Sequence, residues 1–226
     1  MGTLPPIMKS TLSIVILFLF TTSTKAYFIP MTLYSMALNA EKIVYGEIIS
    51  LDSLTFTINI ENSLTGETGR LTIEKFGDYA CAHRWTEYQI GQKVFLFLWT
   101  FKGRLMTMGG GNEGELPLFQ DSVIISGLSL PSAPPEGLSQ KKLEKWPNKI
   151  YFESKRQEIY GDTFYGHRVS LPEFITTIKS LKECFQQQPN YYGENITSKI
   201  ICNNDIIEKK LKTDKIFRWT YGELTK

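Results

Sequence analysis

Ile43-Val44-Tyr45-Gly46-Glu47-Ile48-Ile49-Ser50-Leu51, followed after Asp52-Ser53-Leu54 by Thr55-Phe56-Thr57-Ile58-Asn59-Ile60-Glu61, is the stretch that decides the fold. Its second half alternates. Phe56, Ile58 and Ile60 fall between Thr55, Thr57, Asn59 and Glu61, the period of a strand with one face buried and one wet. The first half carries Gly46 inside an apolar run, where a glycine marks a bulge or sharp coil of the kind a small barrel needs to close. Working outward, Leu71 to Phe76 reads as a third strand, reached through the turn residues Gly66 and Gly69. Val94 to Trp99 is continuously apolar, which predicts cover on both faces, and Lys102-Gly103 turns it back into Arg104 to Met108. Five short strands with polar turns between them predict a small antiparallel barrel.

Upstream, Lys9 precedes an apolar run from Leu12 to Phe20 broken only by Ser13, and the small and polar residues that follow end at Thr24-Lys25-Ala26. The run is about half of what a helix needs to cross a bilayer core. Residues 1–26 are therefore read as a cleaved secretory signal, with Met8 as an alternative start and the mature chain beginning near Tyr27; an uncleaved anchor is the competing reading. Export implies a secreted, extracytoplasmic protein with no stable membrane span. At 42% hydrophobic and 13% aromatic residues the chain can bury a core, which excludes a disordered protein. Without Lys9 and Lys25 it holds 23 basic and 23 acidic residues, a balance that gives no footprint for nucleic acid.

Beyond the barrel, residues 131–137 (PSAPPEG) form a proline-rich linker, so the expected organisation is a barrel domain over 27–130 and a helical region over 138–226 packed on it. Ser170-Leu171-Pro172-Glu173 fits a capping box. Leu171, Phe174, Ile175, Ile178, Leu181 and Phe185 then lie on one helical stripe that stops at Pro189. Further helices are expected from near Asn204 and near Asp214. The fold class is thus mainly β with C-terminal α.

Chemistry is sparse. Of the three cysteines, Cys184 and Cys202 lie close in sequence with turn formers between them and are the expected disulfide, leaving Cys81 as a buried thiol or a partner for something external. His83 and His167 sit in no metal or triad spacing. Cys81-Ala82-His83 is the one pairing that suggests a nucleophile, and it defines the extracellular-hydrolase alternative; no orienting carboxylate or oxyanion hole accompanies it locally. The glycine-rich Gly109 to Glu115 segment lacks the lysine and following helix of a phosphate cradle, and is read as tight bends between strands; a weak calcium site at Asn112, Glu113 and Glu115 stays open. No cofactor or metal centre is expected. Asn195-Ile196-Thr197 is a glycosylation sequon, relevant in a host that glycosylates exported proteins.

Ala40 to Ile48, Leu64-Thr65-Gly66, the loop GDYACAHRWTEY and Tyr88 to Leu98 together resemble the barrel of the tissue-inhibitor-of-metalloproteinase and netrin-module superfamily, and more closely its uncharacterised secreted bacterial members. The resemblance covers about Tyr27 to Ser126 and implies an OB-fold. In the animal inhibitors an N-terminal cysteine chelates the protease zinc and is tethered to a loop cysteine, whose position Cys81 matches. Tyr27-Phe28-Ile29-Pro30 contains no cysteine, so that wedge is not assembled in the same form. The expected function is accordingly a non-enzymatic binding module for an extracellular protein or oligosaccharide, through a loop carrying Asp78, Cys81, His83, Arg84 and Trp85; metalloprotease inhibition is the alternative.

Overall fold

The computed structural model describes residues 30–77, 82–111, 113–131, 150–187 and 198–225. The expected signal segment, most of the linker, and Asp78, Cys81, Asn112 and Asn195 lie outside them.

Five strands close a barrel: β1 (Lys42–Leu51), β2 (Thr55–Ser63), β3 (Arg70–Glu74), β4 (Lys93–Phe101) and β5 (Arg104–Thr107). Their order is β1-β2-β3-β5-β4, and β4 returns to pair with β1. This is the OB-like arrangement, and its closure requires one parallel contact, Glu74 of β3 opposite Met106 of β5. Gly46 sits at a register shift between β1 and β2, where a Cβ would collide with the Asn59 carbonyl oxygen. Close backbone approach is why that position is glycine.

The sheet continues. β6 (Glu115–Phe119) pairs with β4, β7 (Ser122–Ser126) with β6, and the hairpin of β8 (Lys155–Ile159) and β9 (Asp162–Ser170) with β7, giving one sheet of nine strands. That hairpin falls inside the region expected to be helical. The C-terminal helices begin at Leu171.

Alternation along β4 divides the core in two. Val94, Leu96 and Leu98 point into the barrel with Val44, Ile48, Phe56, Ile58 and Ile73, and the end of that interior is filled by Trp85, Ile124, Ile159 and Phe164. Phe95 and Phe97 point outward, where α2 (Leu171–Cys184) lays Phe174 edge-on against both rings. The outer core is completed by α1 (Leu33–Asn39) through Leu33, Met36 and Ala37, and by α4 (Lys215–Leu224) through Ile216, Phe217 and Trp219. α3 (Asn204–Thr213) and α4 are capped by the Asn203 and Asp214 side chains. The expected capping box at α2 does not form. Ser170 Oγ turns to the Glu173 carboxylate at 3.5 Å rather than to a backbone amide, and Leu171 N–H instead donates to Asp121 O at 2.9 Å. Cys184 and Cys202 are joined, and the short pair β10 (Phe185–Gln187) and β11 (Ser198–Ile200) lies between them.

Candidate interaction site

The connection from β3 to β4 is rich in ionisable groups, and its geometry explains what they do. Arg84 lies between two rings, its guanidinium carbon 4.0 Å from the Trp85 centroid and 3.9 Å from that of Tyr88. Its Nε and terminal nitrogen reach Glu115 Oε1 at 2.8 and 2.7 Å, and its other N–H groups donate to Gln92 Oε1 and to the carbonyls of Thr86 and Glu87. Trp85 Nε1 donates to the Glu115 carbonyl, and Tyr88 OH donates to Glu115 Oε2 at 2.9 Å while accepting from Phe76 N–H. Burial pushes the Glu115 carboxyl up, and the permanent charge and hydrogen bonds of Arg84, with the Tyr88 hydroxyl, draw it back. Burial and the Glu115 charge push the Tyr88 phenol far up, which keeps it a donor.

Of the expected interaction loop, then, Arg84 and Trp85 are buried, His83 is exposed, and Asp78 and Cys81 lie outside the described residues. Arg84 and Trp85 hold the loop onto β6 rather than meeting a partner. Of the calcium candidates, Glu115 is taken by Arg84, Glu113 is turned into the protein, and Asn112 lies outside the described residues.

This rigid wall backs an open cleft of about 620 Å³, bounded by Ser53 and Leu54 of the β1–β2 turn, Lys75 to Gly77, Thr86 to Tyr88, and Asp162 of the β8–β9 turn. Lys75 reaches across to the Asp52 carbonyl, and Leu54 is 72% exposed at the rim. From Glu74, at the edge of the cleft, a surface runs across the outer side of the barrel. Glu74 pairs with Arg104 at 2.9 Å, Arg104 stands opposite Phe101 in the register, and Met106 opposite Trp99. Trp99 and Phe101 stack on one another with centroids 5.7 Å apart and remain 38% and 39% exposed. They continue the row of Phe95 and Phe97 beyond the reach of α2. The expected two-sided cover of β4 therefore holds from Val94 to Leu98 and ends at Trp99. The i, i+2 spacing of four aromatics was the signal in the sequence that could have found this surface.

No family model, curated protein or solved structure matches the chain. Its class is set by topology alone, an OB-like barrel extended by a hairpin and a helical tail.

Proposed function

We propose that the chain is an exported, non-enzymatic binding module that docks an extracellular polypeptide on the outer β4–β5 face and the adjoining cleft. The observation that carries this reading is the Trp99–Phe101 stack, two large rings left open at the end of a row that helices otherwise cover. Trp, Phe, Met and Arg are the side chains enriched in protein interfaces, and Trp99, Phe101, Met106 and Arg104 stand together here. Export is supported by the N-terminal apolar segment and by a disulfide, a bond that persists in oxidising compartments. No helix among the described residues is long and apolar enough to cross a membrane. The non-enzymatic reading rests on the Arg84, Tyr88 and Glu115 groups being committed to one another; the Cys81/His83 hydrolase is carried by sequence alone. The test is parallel capture of extracellular proteins and oligosaccharides on the native protein and on a Trp99→Ser/Phe101→Ser variant. Polypeptides retained by the first and lost by the second are expected. Retention unaffected by the substitutions, or confined to glycans, contradicts it.

A second reading, inhibition of metalloproteases, has one observation in its favour. The Met31 amide approaches Glu113, and Gly111 of the same loop packs against the His83–Arg84 backbone, so the N-terminal segment and the β3–β4 connection meet at one place. Titration of zinc endopeptidases with native and N-acetylated protein separates the readings. Tight inhibition abolished by acetylation supports the inhibitor.

A further inference from the structure

Two Ile-Ile pairs flank the start of α3, and each divides its side chains between core and solvent. Ile200, at the end of β11, packs on the outer core, while Ile201 is 51% exposed. Early in α3, Ile207 is buried while Ile206 is 41% exposed. The backbone holds both outer residues in place. Ile201 N–H donates to Cys184 O and Ile206 N–H to the capping Asn203 Oδ1, each at 2.9 Å. The core accounts for Ile200 and Ile207 but not for the other two. Helix formation does not account for Ile206 either, because a β-branched side chain is a weaker helix former than the straight-chain residues. Among the described residues from Ser198 onward, Ile201 and Ile206 are the only large apolar side chains left exposed.

Lysines accompany them. Lys199 and Ile201 are two apart on a segment that continues the β10–β11 pairing, so they share its outer side, and Lys209 and Lys210 follow Ile206 at the i+3 and i+4 positions of one helical stripe. Lys199 and Lys209 are exposed and Lys210 is half-buried. Cations of the barrel and the hairpin are engaged differently. There Lys42, Lys93, Arg104, Lys155 and Arg156 each contact a carboxylate, whereas Lys199, Lys209 and Lys210 make no ion pair among the described residues, although Asp205 lies four residues before Lys209.

We propose that the passage from β11 into α3 is a peripheral membrane anchor: Ile201 and Ile206 enter the interfacial layer of an anionic lipid surface while Lys199, Lys209 and Lys210 face its headgroups. The composition favours lipid over protein. Protein interfaces are enriched in aromatic residues, Met and Arg and depleted in Lys. Aliphatic side chains beside flexible ammonium groups instead match a diffuse layer of negative headgroups, which calls for charge rather than for a bidentate fork. Apolar insertion and basic attraction are each weak alone, and together they give reversible attachment. The anchor shares no residue with the Trp99 and Phe101 face, so the two stand or fall separately.

The test is sedimentation of the purified protein with vesicles of phosphatidylcholine alone and of phosphatidylcholine and phosphatidylglycerol in equal parts. Binding is expected to the mixed vesicles only, and should fall as salt rises past about 0.15 M, where charges are screened beyond roughly 8 Å. Each lysine at a charged surface contributes about fivefold, so Lys209→Gln/Lys210→Gln should weaken binding by about twenty-five-fold. Ile201→Ser/Ile206→Ser should weaken it by a comparable factor, and Trp99→Ser/Phe101→Ser should leave it unchanged. Circular dichroism checks that each variant is folded; if the isoleucine variant is not, the lysine variant and the salt dependence decide. Equal binding to both vesicles, which the N-terminal apolar run would give, contradicts the anchor. So does an absence of binding, binding that survives both the lysine and the isoleucine substitutions, or binding lost with Trp99 and Phe101. Capture by immobilised polyglutamate as tight as by the mixed vesicles, and unaffected by Ile201→Ser/Ile206→Ser, would make the partner an acidic polypeptide and overturn the proposal.

Discussion

Glu115 shows how a residue's chemistry can be spent on structure. A carboxylate at full burial would be expensive, and the Arg84 fork, the Tyr88 hydroxyl and two flanking rings offset the cost. Replacing one partner leaves the other charged and buried. Arg84→Met should therefore lower stability by about 3–5 kcal/mol in urea denaturation, while Arg84→Met combined with Glu115→Leu should recover much of that loss. Glu67 behaves in the opposite sense to Glu115. Burial disfavours its charge, but the Ser63 and Thr65 hydroxyls, its own N–H and Lys42 outweigh that and hold it down to about 2. A carboxyl depressed on folding contributes stability above its unfolded value and loses it as pH falls through the folded one. Native protein should consequently lose stability between about pH 4.5 and 2, and Glu67→Gln should flatten part of that slope in pH-resolved thermal melts. None of these pairings was legible in the sequence. Arg84 and Glu115 are 31 residues apart, and no local pattern joins them.

At the scale of elements, legibility followed the physics of burial. β2 could be read because one face lies in the barrel, so its composition alternates with the pleat, and β4 because cover on both faces leaves it continuously apolar. β8 could not. It is the edge of the sheet, and Lys155, Arg156 and Glu158 expose charges that guard the edge against pairing with other chains while hiding the strand's periodicity. The helices of the tail were found by stripe and cap, whereas α1 is short and has no charged residue in either terminal turn. The Cys184–Cys202 bond joins the end of α2 to the approach to α3 across a separation of 18 residues. Cys202→Ser should cost about 3 kcal/mol in the chain-entropy picture, and limited proteolysis should then cut earliest around α3.

The whole molecule is knit across the expected linker. Ile159 and Phe164 of the hairpin help fill the barrel interior, Tyr160 packs on Trp85 and accepts the Lys93 N–H, and the outer core draws on α2 and α4. A chain ending at Pro131 would expose both cores. It should fail to give a cooperative melt, although the sequence alone would place a domain boundary there. What this scaffold presents to its surroundings is the face with Trp99 and Phe101, beyond the cover of α2. The most direct measurement is a hydrogen-exchange footprint of the native protein with a captured extracellular polypeptide. Protection centred on β4, β5 and the β1–β2 turn, and absent with Trp99→Ser/Phe101→Ser, is the expected result. Protection elsewhere with β4 and β5 unchanged would contradict a working face at Trp99 and Phe101.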